Sequence, residues 1–151
     1  MKYNCVNNLL GWIICIIACT VYLVTMEPTV SLWDTGEFIA ASKTVGIPHP
    51  PGAPLFILIG RFFIILFGDS PQTAAIAMNS LSAVPSGFTI LFLFWTITHF
   101  ARKMVQKNDE PLSRHQVFNI MSAGVVGALA YTFSDSFWYS AVEGEVYALS
   151  S

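Results

Sequence analysis

Two carboxylates and a histidine lie close together in the stretch SLWDTGEFIAASKTVGIPHPPGAPLF, residues 31–56. Asp34 and Glu37 are three residues apart, so a helix would place both on one face. A positioned carboxylate of this kind can accept a proton as a general base. His49 could donate a proton, contact a phosphate or act as a metal ligand. The plainer alternatives are that Asp34 only stabilises a helix N-terminus and that His49 is simply solvated.

A second acidic motif, EGE, lies close to the last residue of the sequence. Glu143 and Glu145 flank Gly144, which lets the chain turn sharply. Two neighbouring carboxylates could hold a divalent cation through oxygen ligands, or they could belong to an ordinary acidic loop.

The composition predicts an all-α, polytopic integral membrane protein. Hydrophobic residues make up 54% of the sequence and charged residues only 11%, against about 25% charged residues in soluble domains. The net charge of −2 says little about partners, because the distribution of charge matters more in a membrane protein. The sequence contains no basic stripe or nucleic-acid motif, so we expect no nucleic acid as a partner.

Three apolar stretches are predicted to cross the membrane, at about 9–26, 74–100 and 117–133. The first has enough residues for a helix of about 27 Å, which spans a bilayer core. The third is rich in small residues, which favours close packing against other helices. A fourth apolar stretch, 54–67, is shorter and carries Arg61. We therefore predict an interfacial helix there, with Arg61 reaching the lipid headgroups.

The basic residues predict which ends of the spans face the cytoplasm. Four of the seven Lys and Arg residues lie in the segment 101–115, and cytoplasmic loops collect such residues. The outer side then holds a first loop, 27–73, with interfacial helices at about 31–45 and 54–67, and a second loop, 134–151. If 54–67 crossed the membrane, the basic loop would instead lie outside.

The first outer loop has two further predicted features. Ser31 is expected to cap the first interfacial helix, with Asp34 as its capping-box partner, while Leu32, Phe38, Ile39 and Val45 rest on the membrane. The proline-rich stretch IPHPPGAP, residues 47–54, is expected to be a stiff, largely extended elbow between the two helices.

This order of elements resembles the amino-terminal module of the GT-C glycosyltransferases, which use sugars carried on polyprenyl phosphates. That group includes protein O-mannosyltransferases, aminoarabinose transferases and the catalytic subunits of oligosaccharyltransferase. The motifs WDTGEF and HPPGAPLF are most similar to a bacterial family related to a eukaryotic transmembrane O-mannosyltransferase. The resemblance covers nearly the whole sequence, through short motifs.

The resemblance implies roles for individual residues. Asp34 matches the first-loop aspartate that acts as the catalytic base or orients the acceptor, and Glu37 stands where those enzymes place a second acid, although not adjacent to the first. His49 and Arg61 are the implied contacts of the donor phosphate. Glu143 and Glu145 correspond to second-loop acids that bind a divalent metal, Mg²⁺ or Mn²⁺, or position the acceptor.

The implied reaction transfers a sugar, with mannose as the candidate, from a lipid-linked donor to a hydroxyl of a protein or glycan acceptor. The implied location is the bacterial inner membrane, with the site facing the periplasm and in contact with membrane lipids. The resembled enzymes have more spans, so we expect this sequence to be part of a longer enzyme and inactive alone. A transporter or flippase fragment and a non-catalytic scaffold are the alternatives; the first would place acids inside the spans.

Overall fold

The computed structural model describes residues 3–31, 34–50, 52–106, 110–144 and 146–147. Its regular structure is entirely helical within these residues, which confirms the predicted all-α class. The six helices are α1 (Tyr3–Thr25), α2 (Thr35–Thr44), α3 (Pro54–Phe67), α4 (Pro71–Val105), α5 (Arg114–Thr132) and α6 (Asp135–Val142).

The three long helices, α1, α4 and α5, form the main bundle. At one end the Tyr3 hydroxyl donates to the Thr98 carbonyl at 3.3 Å, and at the other the Tyr22 hydroxyl donates to the Thr132 carbonyl at 2.9 Å. Helix α4 therefore runs antiparallel to α1, and α5 runs parallel to α1. Glycine permits close approach between α1 and α4, because a Cβ at Gly87 would collide with the Cys19 side chain.

Local capping signals set where α4 and α5 begin. Ser70 and Thr73 form a reciprocal capping box at the start of α4, and Ser113 and Gln116 form another at the start of α5. Each box satisfies backbone N–H groups that the first helical turn leaves without partners. Helix α4 continues through Pro85 for 35 residues, so it is longer than the predicted span 74–100.

Two helices, α1 and α4, are long and apolar enough to cross a membrane. Helices α5 and α6 satisfy the same requirement only as a pair, bent by 64° at the break between them. The predicted spans 9–26 and 74–100 lie almost entirely inside α1 and α4, while a third crossing at 117–133 stays a prediction. The segment predicted as a second outer loop, 134–151, contains the helix α6, which the sequence analysis did not predict. Phe137 and Ala141 of this helix are buried in the core of the bundle.

Most of the charged side chains at each end of the bundle share one sign; among the described residues, the exceptions are Glu110 at the basic end and Lys43 and Arg61 at the acidic end. The end formed by the C-terminus of α4 and the N-terminus of α5 carries Arg102, Lys103 and Arg114. The opposite end holds α2, α3, α6 and the acids Glu27, Asp34, Glu37, Asp69, Asp135 and Glu143. Lys107 and Asp109 of the predicted cytoplasmic loop lie outside the described residues.

Helices α2 and α3 pack on the part of α4 that extends past the last turn of α1. Met26, just after α1, contacts Ser80, whereas Gly60 of α3 lies against Met78 of α4. Helix α3 has the predicted bounds, 54–67. Its outward face is an apolar stripe whose members are all more than half exposed: Leu55, Leu58, Phe62, Ile65 and Leu66.

Two details predicted for the first loop are wrong. Helix α2 begins at Thr35 with Asp34 as its N-cap residue and no side-chain cap, and Ser31 instead donates a hydrogen bond to the Thr35 hydroxyl at 3.0 Å. Phe38 and Ile39 do not rest on the membrane but are buried against α3 and α4. Phe38 and Ile39 are buried because α3 and α4 offer them an apolar surface, and the sequence of α2 alone does not reveal this tertiary contact. Leu32 lies outside the described residues.

Candidate functional site

Asp34, Glu37 and His49 converge at the end of the bundle that carries the acids. The Glu37 carboxylate binds His49 through both oxygens: Oε1 accepts from the His49 backbone N–H at 2.7 Å, and Oε2 lies 2.7 Å from Nδ1. The other ring nitrogen, Nε2, lies 3.8 Å from Asp34 Oδ2. The structure thus unites the two carboxylates and the histidine that the sequence singled out.

The fold of the loop after α2 brings His49 back to the acids. Val45 adopts a left-handed conformation (φ 54°) that ends α2, and the Gly46 N–H donates to the Ala41 carbonyl at 2.8 Å. The Gly52 N–H then donates to the His49 carbonyl at 2.9 Å, with Gly52 at φ 70°. The expected extended elbow is therefore a compact turn, because glycine supplies the backbone conformation that the prolines cannot adopt.

The pairing changes the protonation of both partners. The hydrogen bond and the negative charge of Glu37 raise the pKa of His49, and the hydrogen bonds from His49 lower the pKa of Glu37. Both shifts favour an imidazolium–carboxylate pair over a wide pH range. About half of each side chain is exposed, 48% for His49, 42% for Glu37 and 57% for Asp34, so all three are accessible from solvent.

A cavity of about 200 Å³ opens beside these groups. Asp34 and His49 provide its polar wall, and Phe38, Val146 and Tyr147 line its other sides. Val146 and Tyr147 follow the EGE motif, so the segment after α6 contributes directly to the wall. Sequence reasoning had no basis for selecting these two residues, since only the tertiary fold brings them to α2.

Arg61 occupies a separate polar cluster at the same end. Its Nη1 atom lies 3.1 Å from Asp69 Oδ1, and the Asp69 carbonyl accepts a hydrogen bond from Lys43 Nζ at 2.8 Å. Arg61 is not among the residues that line the cavity beside His49. Sequence reasoning missed Asp69 as the partner of Arg61. The signal that could have found it was an acid two residues after the last residue of the helix that carries the arginine.

Glu143 faces a different and larger cavity, of about 710 Å³. Glu27 and Asp135 also line that cavity, together with Trp138 and Tyr139. Partial burial raises the pKa of Glu143. Glu145, its predicted companion, lies outside the described residues.

Asn79 links the loop before α2 to the bundle and was also missed. Its buried amide nitrogen donates to the carbonyls of Glu27 at 2.5 Å and Thr29 at 3.2 Å. An isolated asparagine inside an apolar run was the signal that could have found it, because a buried amide requires partners. Asn79 thereby helps to fix the chain that leads to Asp34.

The fold and the site together define a membrane-protein module: helices of membrane-spanning length with an acid–histidine cluster at one end. The comparison with known families is more specific. Residues 34–151 match the N-terminal domain of the protein O-mannosyl-transferase TMEM260, and this chain belongs to that family. The matched region begins at Asp34 and contains every candidate site residue.

Curated relatives agree with this assignment. The chain is 26% identical over 136 residues to the protein O-mannosyl-transferase tmem260 of Dictyostelium discoideum, covering 89% of this chain and 14% of the relative. It is 28% identical over 131 residues to the TMEM260 protein of Mus musculus, covering 87% and 16%. The chain thus spans about one seventh of the length of these relatives. No solved structure matches it significantly.

Proposed function

We propose that this chain forms part of the active site of a membrane glycosyltransferase of the GT-C type. The enzyme transfers mannose from a polyprenyl-phosphate donor to a serine or threonine hydroxyl of a protein acceptor. The names of the relatives support the sugar and the acceptor. The observation that carries the proposal is the convergence of Asp34, Glu37 and His49 beside one cavity.

Asp34 is the proposed general base. Both oxygens of Glu37 already accept hydrogen bonds from His49, whereas the Asp34 carboxylate lies 3.8 Å from the imidazole and has no closer polar contact recorded among the described residues. The Asp34 carboxylate is therefore the better placed of the two to take the proton of an acceptor hydroxyl. The oxygen then bonds to the anomeric carbon as the bond to the donor phosphate breaks, and the lipid phosphate leaves with the electron pair. A single displacement inverts the anomeric configuration.

His49 is the proposed cation for the leaving phosphate, and Glu37 is its positioning residue. Glu37 favours the protonated imidazole, which can donate to a phosphate oxygen as negative charge develops there. Arg61 is proposed as a second contact of the donor phosphate, for which it would have to leave its ion pair with Asp69. Glu143 and Glu145 are proposed to position the acceptor, and the aromatic side chains in the cavity of Glu143 support that role.

A divalent cation is a further proposal for this site. Ligand atoms of Asp34, Glu37 and His49 lie within 4.8 Å of one another. Two carboxylates with an imidazole suit Mn²⁺ better than Mg²⁺, which prefers oxygen ligands alone. The set fits the ion only if the Glu37–His49 hydrogen bond opens, and a bound cation would supply charge stabilisation for the phosphate. Mannose transfer that is lost on chelation and restored by Mn²⁺ would support a metal-dependent site.

The site is proposed to face the outer side of the membrane, which is the periplasm if the protein resides in a bacterial inner membrane. Cysteine labelling tests the orientation in a background that lacks Cys5, Cys15 and Cys19. A probe at Gln72 should react in intact cells, whereas a probe at Glu110 should react only after permeabilisation. Labelling of Glu110 in intact cells would contradict this topology.

The functional test is mannose transfer to a Ser/Thr-containing peptide by membranes that express the complete gene. Polyprenyl-phosphate mannose should support transfer, and a nucleotide sugar should not. His49→Gln should lower the rate by about a hundredfold, while His115→Gln, an exposed histidine at the opposite end, should leave it unchanged. Equal rates for the two variants would contradict the role of His49.

The alternative function, a transporter, is less well supported. A transporter would be expected to carry acids inside its membrane spans, and the helices α1, α4 and α5 contain none.

A further inference from the structure

A polar cavity of about 300 Å³ lies at the basic end of the bundle, opposite the candidate site. The first turns of α1 and the last turns of α4 enclose it. The side chains Asn4, Asn7 and Asn8 come from α1, and His99 and Arg102 come from α4. None of the described residues that line it carries a carboxylate. The cavity is therefore rich in hydrogen-bond donors and positive in charge.

The guanidinium of Arg102 is held in place at this cavity. Its Cζ atom lies 4.8 Å from the centre of the Tyr3 ring, and its Nε donates to Gln106 Oε1 at 2.8 Å. The Tyr3 hydroxyl in turn donates to the Thr98 carbonyl at 3.3 Å. These contacts use the face and the Nε of the guanidinium, so they orient the group without engaging its Nη donors.

Guanidinium and amide donors around one cavity suit a phosphate group, whose oxygens accept several hydrogen bonds at once. Lys103 and Arg114 add positive charge at the same end. Exposed apolar side chains lie beside the cavity on both helices: Trp95 in the cavity wall contacts Trp12 and Phe92, with ring centroids 6.4 and 6.0 Å apart, and these two side chains are 47% and 58% exposed. Phosphate-binding donors next to an exposed apolar helix surface match the two parts of a phospholipid.

We propose that this cavity, formed by α1 and α4 around Arg102, binds the phosphate headgroup of an anionic phospholipid. Basic pockets between helices at the cytoplasmic side of a membrane are suited to such headgroups. The acyl chains then lie along the exposed apolar faces of α1 and α4. The site is separate from the proposed transferase site, which lies at the other end of the bundle, and does not depend on it.

Lipid binding by the protein expressed from its complete gene tests the proposal. Acyl-labelled phosphatidylglycerol in detergent micelles should bind at least about tenfold more tightly than the matching phosphatidylcholine. Arg102→Gln should weaken phosphatidylglycerol binding about tenfold, since it removes the charged donor. Lys103→Gln, a neighbouring exposed residue that does not line the cavity, should change it by less than about threefold.

A second variant and a competition with inorganic phosphate distinguish binding in the cavity from general attraction to a basic surface. Asn8→Ala leaves every charge and the Tyr3–Arg102 contact in place, and it should still weaken phosphatidylglycerol binding severalfold. Equal losses for Arg102→Gln and Lys103→Gln would mean that only general attraction to a basic surface operates, and the proposal would fail. It would also fail if millimolar inorganic phosphate displaced the lipid completely, because the cavity would then bind free phosphate.

Discussion

Removing the hydroxyl of Tyr22 should lower the free energy of unfolding by about 1–3 kcal/mol. Tyr22 and Thr132 are both fully buried, and the hydroxyl donates to the Thr132 carbonyl at 2.9 Å. Thr132 is the last residue of α5, so its carbonyl has no partner within the helix. Tyr22→Phe keeps the packed ring but leaves this carbonyl unpaired where water cannot reach it, and the expected loss is the cost of an unsatisfied buried acceptor.

Equilibrium unfolding in mild detergent measures this loss. Tyr139→Phe is the matched control, because Tyr139 on α6 is 66% exposed and its hydroxyl can bond to water. Tyr139→Phe should change the free energy of unfolding by less than about 0.5 kcal/mol. If the two substitutions cost the same, the Tyr22–Thr132 bond does not hold α1 against α5, and the packing register between these two helices would be wrong.

Two further predictions concern Gly87 and His49. Gly87→Ala should destabilise the bundle more than Gly127→Ala in the same unfolding assay. A Cβ at Gly87 meets the side chain and backbone of Cys19, whereas a Cβ at Gly127 meets only the flexible side chain of Ile97. Equal losses of unfolding free energy would contradict the close α1–α4 contact. In an NMR titration His49 should show a pKa above its ordinary value of 6.5, and Glu37→Gln should lower it. The pair raises the pKa of His49 and lowers the pKa of Glu37, so its stabilising effect should be lost as the pH rises through the pKa of His49 or falls through the pKa of Glu37. A His49 pKa that Glu37→Gln leaves unchanged would refute the pairing.

Strong local signals made part of the fold predictable. Proline at position 54 and glycine at position 68 bracket an apolar run, so the bounds of α3 could be stated correctly. Long apolar runs likewise predicted the helices that contain most of 9–26 and all of 74–100. Asp34 and Glu37 could be predicted to lie close together because their spacing is close to a single helical turn, although Asp34 is the N-cap residue that precedes α2.

The remaining features depend on tertiary structure. The Glu37–His49 pair forms because the chain turns back at Val45, where α2 ends, and no local pattern fixed that path. Phe38 is buried because α3 and α4 meet it, although its own helix gives no such indication. The bond from Asn79 to the chain at Glu27 likewise joins positions that are far apart in the sequence.

The most direct test of the proposed transferase site is mannose transfer by Asp34→Asn, measured in membranes that express the complete gene. Asparagine keeps the size of the side chain but cannot accept the acceptor proton as a carboxylate does. We predict a loss of about 10²–10⁴-fold in the transfer rate at normal expression, with wild-type rates for Glu110→Gln at the opposite end of the bundle. Wild-type transfer by Asp34→Asn would contradict the proposed base and reduce Asp34 to the residue that begins α2.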